Sequence, residues 1–291
     1  MLGVSAAYDA AGDGVRTKAA FDQRSDWTYR WAVRRPSRLG YPLDLPWIRA
    51  AAEWRRADVV HLALGFEAAT LGPVRPMVVH HHGTAFRLNR ARLLAEQRRR
   101  KATGLASTLD LVLMAPDDLA WSPTPYDLDW LASFRAPVDD GILRIAHTPT
   151  SRAVKSTDAF LAAAGRLGLE LPLEVVLVEG VQWHECLARK GRADILFDQV
   201  ALGYGASAVE AWGMGLPVIA GGADATLAEL ERRAGGLPFV TADESTIYAA
   251  LRRLAEPAER ARWAAIGHDF ARRFHADDVA VARLSAVFAS A

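Results

Sequence analysis

Short runs rich in Val and Leu recur along this chain, each followed by a polar or amphipathic stretch before the next begins. In the first half they are "ADVVHLAL" (57–64), "PMVVHHH" (76–82) and "LDLVLMA" (109–115). In the second half they are "ILRIAH" (142–147), "LEVVLVEG" (173–180), "ADILFDQ" (193–199), "LPVIAGG" (216–222) and "LPFV" (237–240). Runs of this length suit strands buried on both faces of a parallel sheet. The stretches between them suit the crossover helices that such a sheet requires. "NRARLLAEQRRRKA" (89–102), "STDAFLAAAGRL" (156–167), "ECLARK" (185–190), "SAVEAWGM" (207–214), "ATLAELERRA" (225–234) and "ESTIYAALRRLA" (244–255) read as those helices. The opening "LGVSAA" and "VRTKAAFDQ" read as one more strand and helix. The fold class is α/β, with two Rossmann-like, doubly wound domains facing each other across a cleft.

A chain of 291 residues with 51% hydrophobic composition supports two cores. The expected division is a first domain over 1–136, a second over 141–275 and a carboxyl-terminal helix over 276–291 that returns to the first. Pro137 and Gly141 mark the linker. The sequence shows no apolar stretch long enough for a transmembrane segment and no signal-peptide pattern at its start. The single cysteine, Cys186, excludes an intrachain disulfide framework and a cysteine-based zinc site. A cytoplasmic location is expected. Residues 1–136 carry 19 Lys and Arg against 14 Asp and Glu, whereas residues 137–291 carry 16 against 20. The basic half favours an anionic partner such as DNA, and ordinary scatter of surface charge is the alternative.

The stretch "ADILFDQVALGYGASAVEAWGMGLPVIAGG" (193–222) carries the most chemistry. A strand ending at Asp198 and Gln199 runs into a glycine-bearing loop, and a helix starts near Ala206. Amides of Gly205, Ala206 and Ser207 at a helix start suit a phosphate. Glu210, one turn further, offers a carboxylate that can accept two hydrogen bonds from a ribose diol. A capped helix with a solvated glutamate is the other reading. "GYGASAVEAWGMGLPVIA" resembles the donor-site signature of GT-B glycosyltransferases, especially the retaining glycosyltransferase family 4, in Glu210, Ala211, Gly215, Pro217 and Val218. "RIAHTPTSRAVKSTDAF" (144–160) is similar to that family's strand, loop and Arg–Lys pair.

The resemblance implies a sugar transfer, with retention, from a nucleotide diphosphate-sugar to an acceptor hydroxyl, without a metal or other cofactor. It implies that Arg152 and Lys155 hold the donor diphosphate and that Gln182 and Trp183 lie near the base. It also implies that Gly12 and Gly14, in the first strand-to-helix loop, approach the phosphates. The family signature has an acidic residue eight positions before the glutamate, where this chain has Leu202. Asp198 or Gln199 is the candidate replacement at the transferred sugar.

"VVHHHGTAFR" (78–87) ends another first-half strand. Alternation along a strand puts His80 and His82 on one face and His81 on the other. Three consecutive residues cannot surround one tetrahedral metal ion without distortion. The resemblance gives His82 and Gly83 a place near the sugar and acceptor, with Thr84 and Arg87 beyond them on the cleft rim. A neutral His82 can hydrogen-bond the sugar or accept the acceptor's proton. "WTYRWAVRRPSR" (27–38) interleaves aromatic and basic residues, as nucleic-acid surfaces do, or forms an amphipathic strand and loop. Arg98 to Lys101 read as a solvated helix face. A modified DNA base, a protein, a glycan or a lipid would each suit as acceptor, and the compact build suits a phage-encoded enzyme. A sugar-nucleotide epimerase of the same fold and a non-catalytic nucleotide-sugar binding protein are the alternatives.

Overall fold

A computed structural model of the chain describes residues 54–63 and 75–291. The expected loop at Gly12 and Gly14, the opening strand and helix, and the 27–38 stretch lie outside the described residues. The chain divides into two compact units. The described part of the first comprises residues 54–63, 75–107, Leu111–Pro125 and Ala280–Ala291, and the second comprises Thr108–Asp110 and Tyr126–Val279.

The first unit holds a parallel sheet of β1 (Val60–Ala63), β2 (Met77–His81), β3 (Thr103–Ala106) and β4 (Leu119–Trp121), in that spatial order among the described residues. Helix α1 (Gly83–Arg100) follows β2 and buries Phe86, Leu93, Leu94 and Gln97. It begins six residues before the expected 89–102, so Thr84 and Arg87 lie in its first turns and not in a loop. Gly83 takes a positive φ of 35° at this start. The basic run ends the helix, where cations complement the macrodipole. There Arg98 pairs with Asp118, and Arg99 and Arg100 pair with Glu96.

The apolar run 109–115, expected as a strand, is a helix, α2 (Leu109–Met114). Leu109, Leu111, Val112 and Ala115 are buried while Leu113 is exposed. A short apolar run has no periodicity with which to separate the two readings. The strands beside it, β3 and β4, carry Thr, Gly, Ala and Trp in place of the usual Val and Ile. Gly104 in β3 allows that sheet to meet α1 closely, since a Cβ there would sit 2.4 Å from the Gln97 side chain. One sheet face packs Val79 and Ala106 with Phe86 and Leu93. The other packs Val78 and Leu105 with Val281 and Leu284 of α10 (Asp277–Ala289).

The second unit is built on β5 (Leu143–His147), β6 (Leu173–Leu177), β7 (Ile195–Gln199), β9 (Val218–Gly222) and β10 (Val240–Thr241). Their spatial order is β10-β9-β7-β5-β6, all parallel, and a short β8 (Leu202–Gly203) pairs antiparallel with β9. Helices α3 (Leu128–Ala132), α4 (Thr157–Leu167), α5 (Trp183–Lys190), α6 (Ala206–Gly213), α7 (Asp224–Ala234), α8 (Ile247–Leu254) and α9 (Pro257–Phe274) complete it. The core joins Ile145, Phe160, Ile195, Phe197, Ile219 and Leu251. Ile145, Ile195 and Phe197 come from β5 and β7, which are buried along their whole length and therefore read as apolar runs; Phe160 and Leu251 come from α4 and α8.

The spatial order places β5 between β6 and β7, so the winding reverses there. In an open parallel sheet, ligands bind outside the carboxyl ends of the strands at such a reversal. The carboxyl ends concerned are His147–Thr148 and Asp198–Gln199. The register between β7 and β9 slips between Phe197 and Gln199, which leaves Asp198 as the extra residue of a bulge. A bulge re-aims the side chain it carries.

Candidate functional site

At the reversal in the second unit, the bulged Asp198 is 2% exposed and meets two donors. Lys155 Nζ donates to Oδ1 at 2.5 Å, and the Gly205 amide donates to Oδ2 at 2.6 Å. Three of the residues expected from the sequence, Lys155, Asp198 and Gly205, are therefore brought together. Lys155 lies in the turn between β5 and α4, where its amide donates to the Ser151 carbonyl and Ser156 takes a positive φ of 48°. Gly205 is the residue before α6, and the amides of Ala206 and Ser207 have no acceptor within the helix. This is a helix start with positive partial charge, a nearby ammonium and small residues.

Gln199 does different work. Its amide nitrogen donates to the Gly203 carbonyl at 2.9 Å, and its oxygen accepts from the Leu202 amide at 2.9 Å. The buried side chain thus ties together the loop that delivers Gly205. Gly203 in that loop has a φ of 90°, which favours glycine.

Glu210 lies on α6 and is 7% exposed. Its Oε1 accepts from the Trp183 indole N–H at 2.8 Å, and its Oε2 accepts from Lys190 Nζ at 2.5 Å. Lys190 is fully buried and also donates to Ser207 Oγ at 2.8 Å. Ser207 in turn shares a 2.6 Å hydrogen bond with Thr148, the residue after β5. Trp183 opens α5 with Gln182 as its N-cap, is 40% exposed, and sets its ring 5.1 Å from that of Trp130.

Arg152 stands apart from this cluster. It makes a two-pronged pair with Glu179, at 3.0 and 2.6 Å, and its side chain is half exposed. The pair holds the Glu179 carboxyl below its usual range, through the hydrogen bonds from Arg152. Solvent screens an exposed pair of this kind, so a phosphate can displace Glu179 at small cost.

Sequence reading missed Lys190, Thr148 and His147. Lys190 ends a helix beside Arg189 and Gly191, where a solvated cation is the usual occupant. Thr148 lies in an apolar-to-loop transition without a motif. His147 is fully buried, with Nδ1 3.0 Å from the Phe197 carbonyl and Nε2 2.8 Å from Thr157 Oγ1. Burial lowers its pKa against the opposing pull of the Phe197 carbonyl. It thereby fastens β5, β7 and α4 at the reversal.

In the first unit, the histidines of 80–82 alternate as their strand geometry demands. His81 lies on the α1 side, 2.9 Å from Gln97 Oε1 and beside Phe86. His80 stacks on His82 at 4.6 Å and on His61 at 5.8 Å on the opposite side. His82 is the N-cap residue of α1, followed by Gly83 and Thr84. Among the described residues, no group of three or more His, Cys, Asp or Glu is placed to share a metal ion.

Burial and neighbouring histidines lower the pKa of both His61 and His82 to about 4, and burial pushes His80 well below the usual value. The unfolded chain, titrating near 6.5, then binds more protons than the folded one. The stability these imidazoles allow is complete above pH 6.5 and is lost as pH falls towards 4. Urea midpoints should therefore drop over that interval, and His80→Leu should make the drop shallower. An equal drop in both proteins would remove the row as its source.

No protein-family model matches the sequence, and no relative is found among curated proteins. Among the described residues, no helix is long and apolar enough to cross a membrane. Solved structures do resemble the fold. Anabaena Alr3699/HepE in complex with UDP is 13% identical, with a TM-score of 0.58 over 86% of this chain and 83% of that one. Sucrose-phosphate synthase from Thermosynechococcus elongatus is 12% identical, with a TM-score of 0.56 over 88% and 80%. A glycosyltransferase from Rickettsia africae is 11% identical, with a TM-score of 0.57 over 88% and 83%. The fold of this chain is thus the two-unit, Rossmann-like α/β architecture of these solved structures, the GT-B fold.

Proposed function

We propose that this protein is a glycosyltransferase that moves a sugar from a nucleoside diphosphate-sugar to an acceptor hydroxyl, with retention at the anomeric carbon. The observation that carries the reading is the convergence of Lys155, the amino end of α6 and Glu210 at the sheet reversal. Transfer breaks the bond between the anomeric carbon and the diphosphate and forms one to the acceptor oxygen. Negative charge then grows on the departing diphosphate. Lys155 and the amides of Ala206 and Ser207 stabilise that charge, the Gly205 amide being taken by Asp198, and Arg152 joins them by exchanging Glu179 for a phosphate. Glu210 accepts from the ribose hydroxyls, and Trp183 and Gln182 lie on the base side. His82, kept neutral, hydrogen-bonds the sugar or takes the acceptor's proton.

The structural neighbours bound to UDP and UDP-glucose, and a trehalose-6-phosphate synthase described as transferring with retention, make uridine nucleotides the first donors to test. The basic first half of the sequence favours an anionic acceptor, with DNA bearing hydroxylated bases and an anionic lipid as the two to try first. A thermal-shift and calorimetric series with UDP-, GDP- and ADP-sugars tests the donor, since a ligand bound to the native state raises its melting temperature. Glu210→Gln should weaken nucleotide binding about tenfold, the value of a charge-assisted hydrogen bond. No binding across the series, or unchanged affinity in the variant, would sink the assignment. Donor hydrolysis without acceptor supports transfer, and epimerised donor would replace this reading by that of an epimerase.

A further inference from the structure

We propose that Lys190 is the positioning residue for nucleotide recognition, its buried ammonium fixing the Glu210 carboxylate so that the acceptor sites left over face the ribose. This rests on the assignment of Glu210 to the ribose. Lys190 is fully buried, so it cannot itself reach a ligand and acts through what it touches. A carboxylate offers about four acceptor sites on its two oxygens. Lys190 takes one on Oε2 and Trp183 takes one on Oε1. One site remains on each oxygen, which is the number a ribose diol requires.

The two donors differ in rigidity. Trp183 is 40% exposed and lies at the first turn of α5. Lys190 is at the other end of that helix, where the chain is clamped. Arg135 donates to the carbonyls of Gly191 and Ala193, both at 2.8 Å, and the Ala136 amide donates to Gly191. A Cβ on Gly191 would lie 1.9 Å from the Phe134 carbonyl oxygen, so this corner has no room to shift. The second bond of Lys190, to Ser207, reaches the first turn of α6, and Ser207 reaches Thr148 at the end of β5. One ammonium thus ties the ribose carboxylate to the elements that form the phosphate end. A buried ion pair adds little net stability over apolar residues of the same volume. Its effect here is on where the carboxylate points.

The distinguishing readout is discrimination for the ribose hydroxyls. Affinities of UDP, GDP and ADP are measured by calorimetry, each against its 2′,3′-dideoxy counterpart, for the wild type, Glu210→Gln and Lys190→Met. The wild type should favour the ribonucleotide about tenfold or more, and Glu210→Gln should lose most of that preference. Lys190→Met should lose it to the same extent, while Lys190→Met/Glu210→Gln should be no less discriminating than Glu210→Gln alone. A Lys190→Met protein that is destabilised but keeps the full preference overturns the proposal. A Glu210→Gln protein that keeps it overturns the ribose assignment instead. Lys190→Gln, which retains a donor for Ser207 without the charge, is read in the same way where the Met variant does not fold.

Discussion

Replacing Lys155 with Met should slow sugar transfer by about two to three orders of magnitude, the usual effect of removing one preorganised donor from a developing anion. The reading of that experiment depends on Asp198. Its carboxylate is buried and would keep only the Gly205 amide once the ammonium is gone. An uncompensated buried charge destabilises by about 3–5 kcal/mol, so the single variant confounds folding with chemistry. The double variant Lys155→Met/Asp198→Asn removes both charges. It should recover most of the melting temperature and none of the rate. Recovery of both would make the pair purely structural. Loss of rate through the KM for donor alone, with kcat intact, would make Lys155 a binding group with no special hold on the leaving diphosphate.

Trp212→Ala is expected to have the largest effect on stability. The side chain is fully buried between Tyr204 at 5.1 Å and Phe270 at 5.2 Å. Gly267 of α9 brings that helix so near that a Cβ there would lie 2.2 Å from the indole ring. Truncating such a residue costs about 3–5 kcal/mol, which lowers the melting temperature of a unit this size by about 10 °C. Calorimetry should show the transition of the second unit moving. Ile266→Ala on the same helix, at a 36% exposed residue, should move it by less than about 2 °C. Equal shifts would mean that Trp212 is not the anchor of α6. The consequence reaches the site, because α6 carries Ser207 and Glu210 on the turns before Trp212.

Much of the second unit is legible in the sequence because β5 and β7 are buried along their whole length and β9 along nearly all of it. Apolar runs such as 195–197 and 216–220 have one physical explanation once glycines and amphipathic stretches bound them. The same logic fails at 109–115, where a half-buried helix of less than two turns presents a similar run, broken only by Asp110. It fails again at β3 and β4, which are only four and three residues long and mix strand-favouring Thr103 and Trp121 with Gly104 and alanines that disfavour strands. The candidate site divides in a similar way. Glu210 and Gly205 draw notice as a carboxylate one turn into a helix and the glycine before it, whereas Lys155 draws notice only through the resemblance to a family motif. Lys190 carries no signal of its own, since only tertiary packing turns a helix-end lysine into a buried one. The bulge that turns Asp198 towards Lys155 is a matter of register between β7 and β9, which no single strand's sequence records.

The first unit takes its last piece from the far end of the chain. Val281 and Leu284 of α10 cover Val78 and Leu105 on one face of its sheet, and Phe288 lies against His61. During synthesis the ribosome has already released all of β1 to β4 while residues 280–291 are still unmade. The second unit, nearly contiguous from Tyr126 to Val279, is complete before they appear. The α10 residues that cover Val78 and Leu105 are therefore made only after those of the second unit, and this part of the sheet waits for them while its neighbour is translated. That interval is when a nascent chain is most open to misassociation and to chaperone capture.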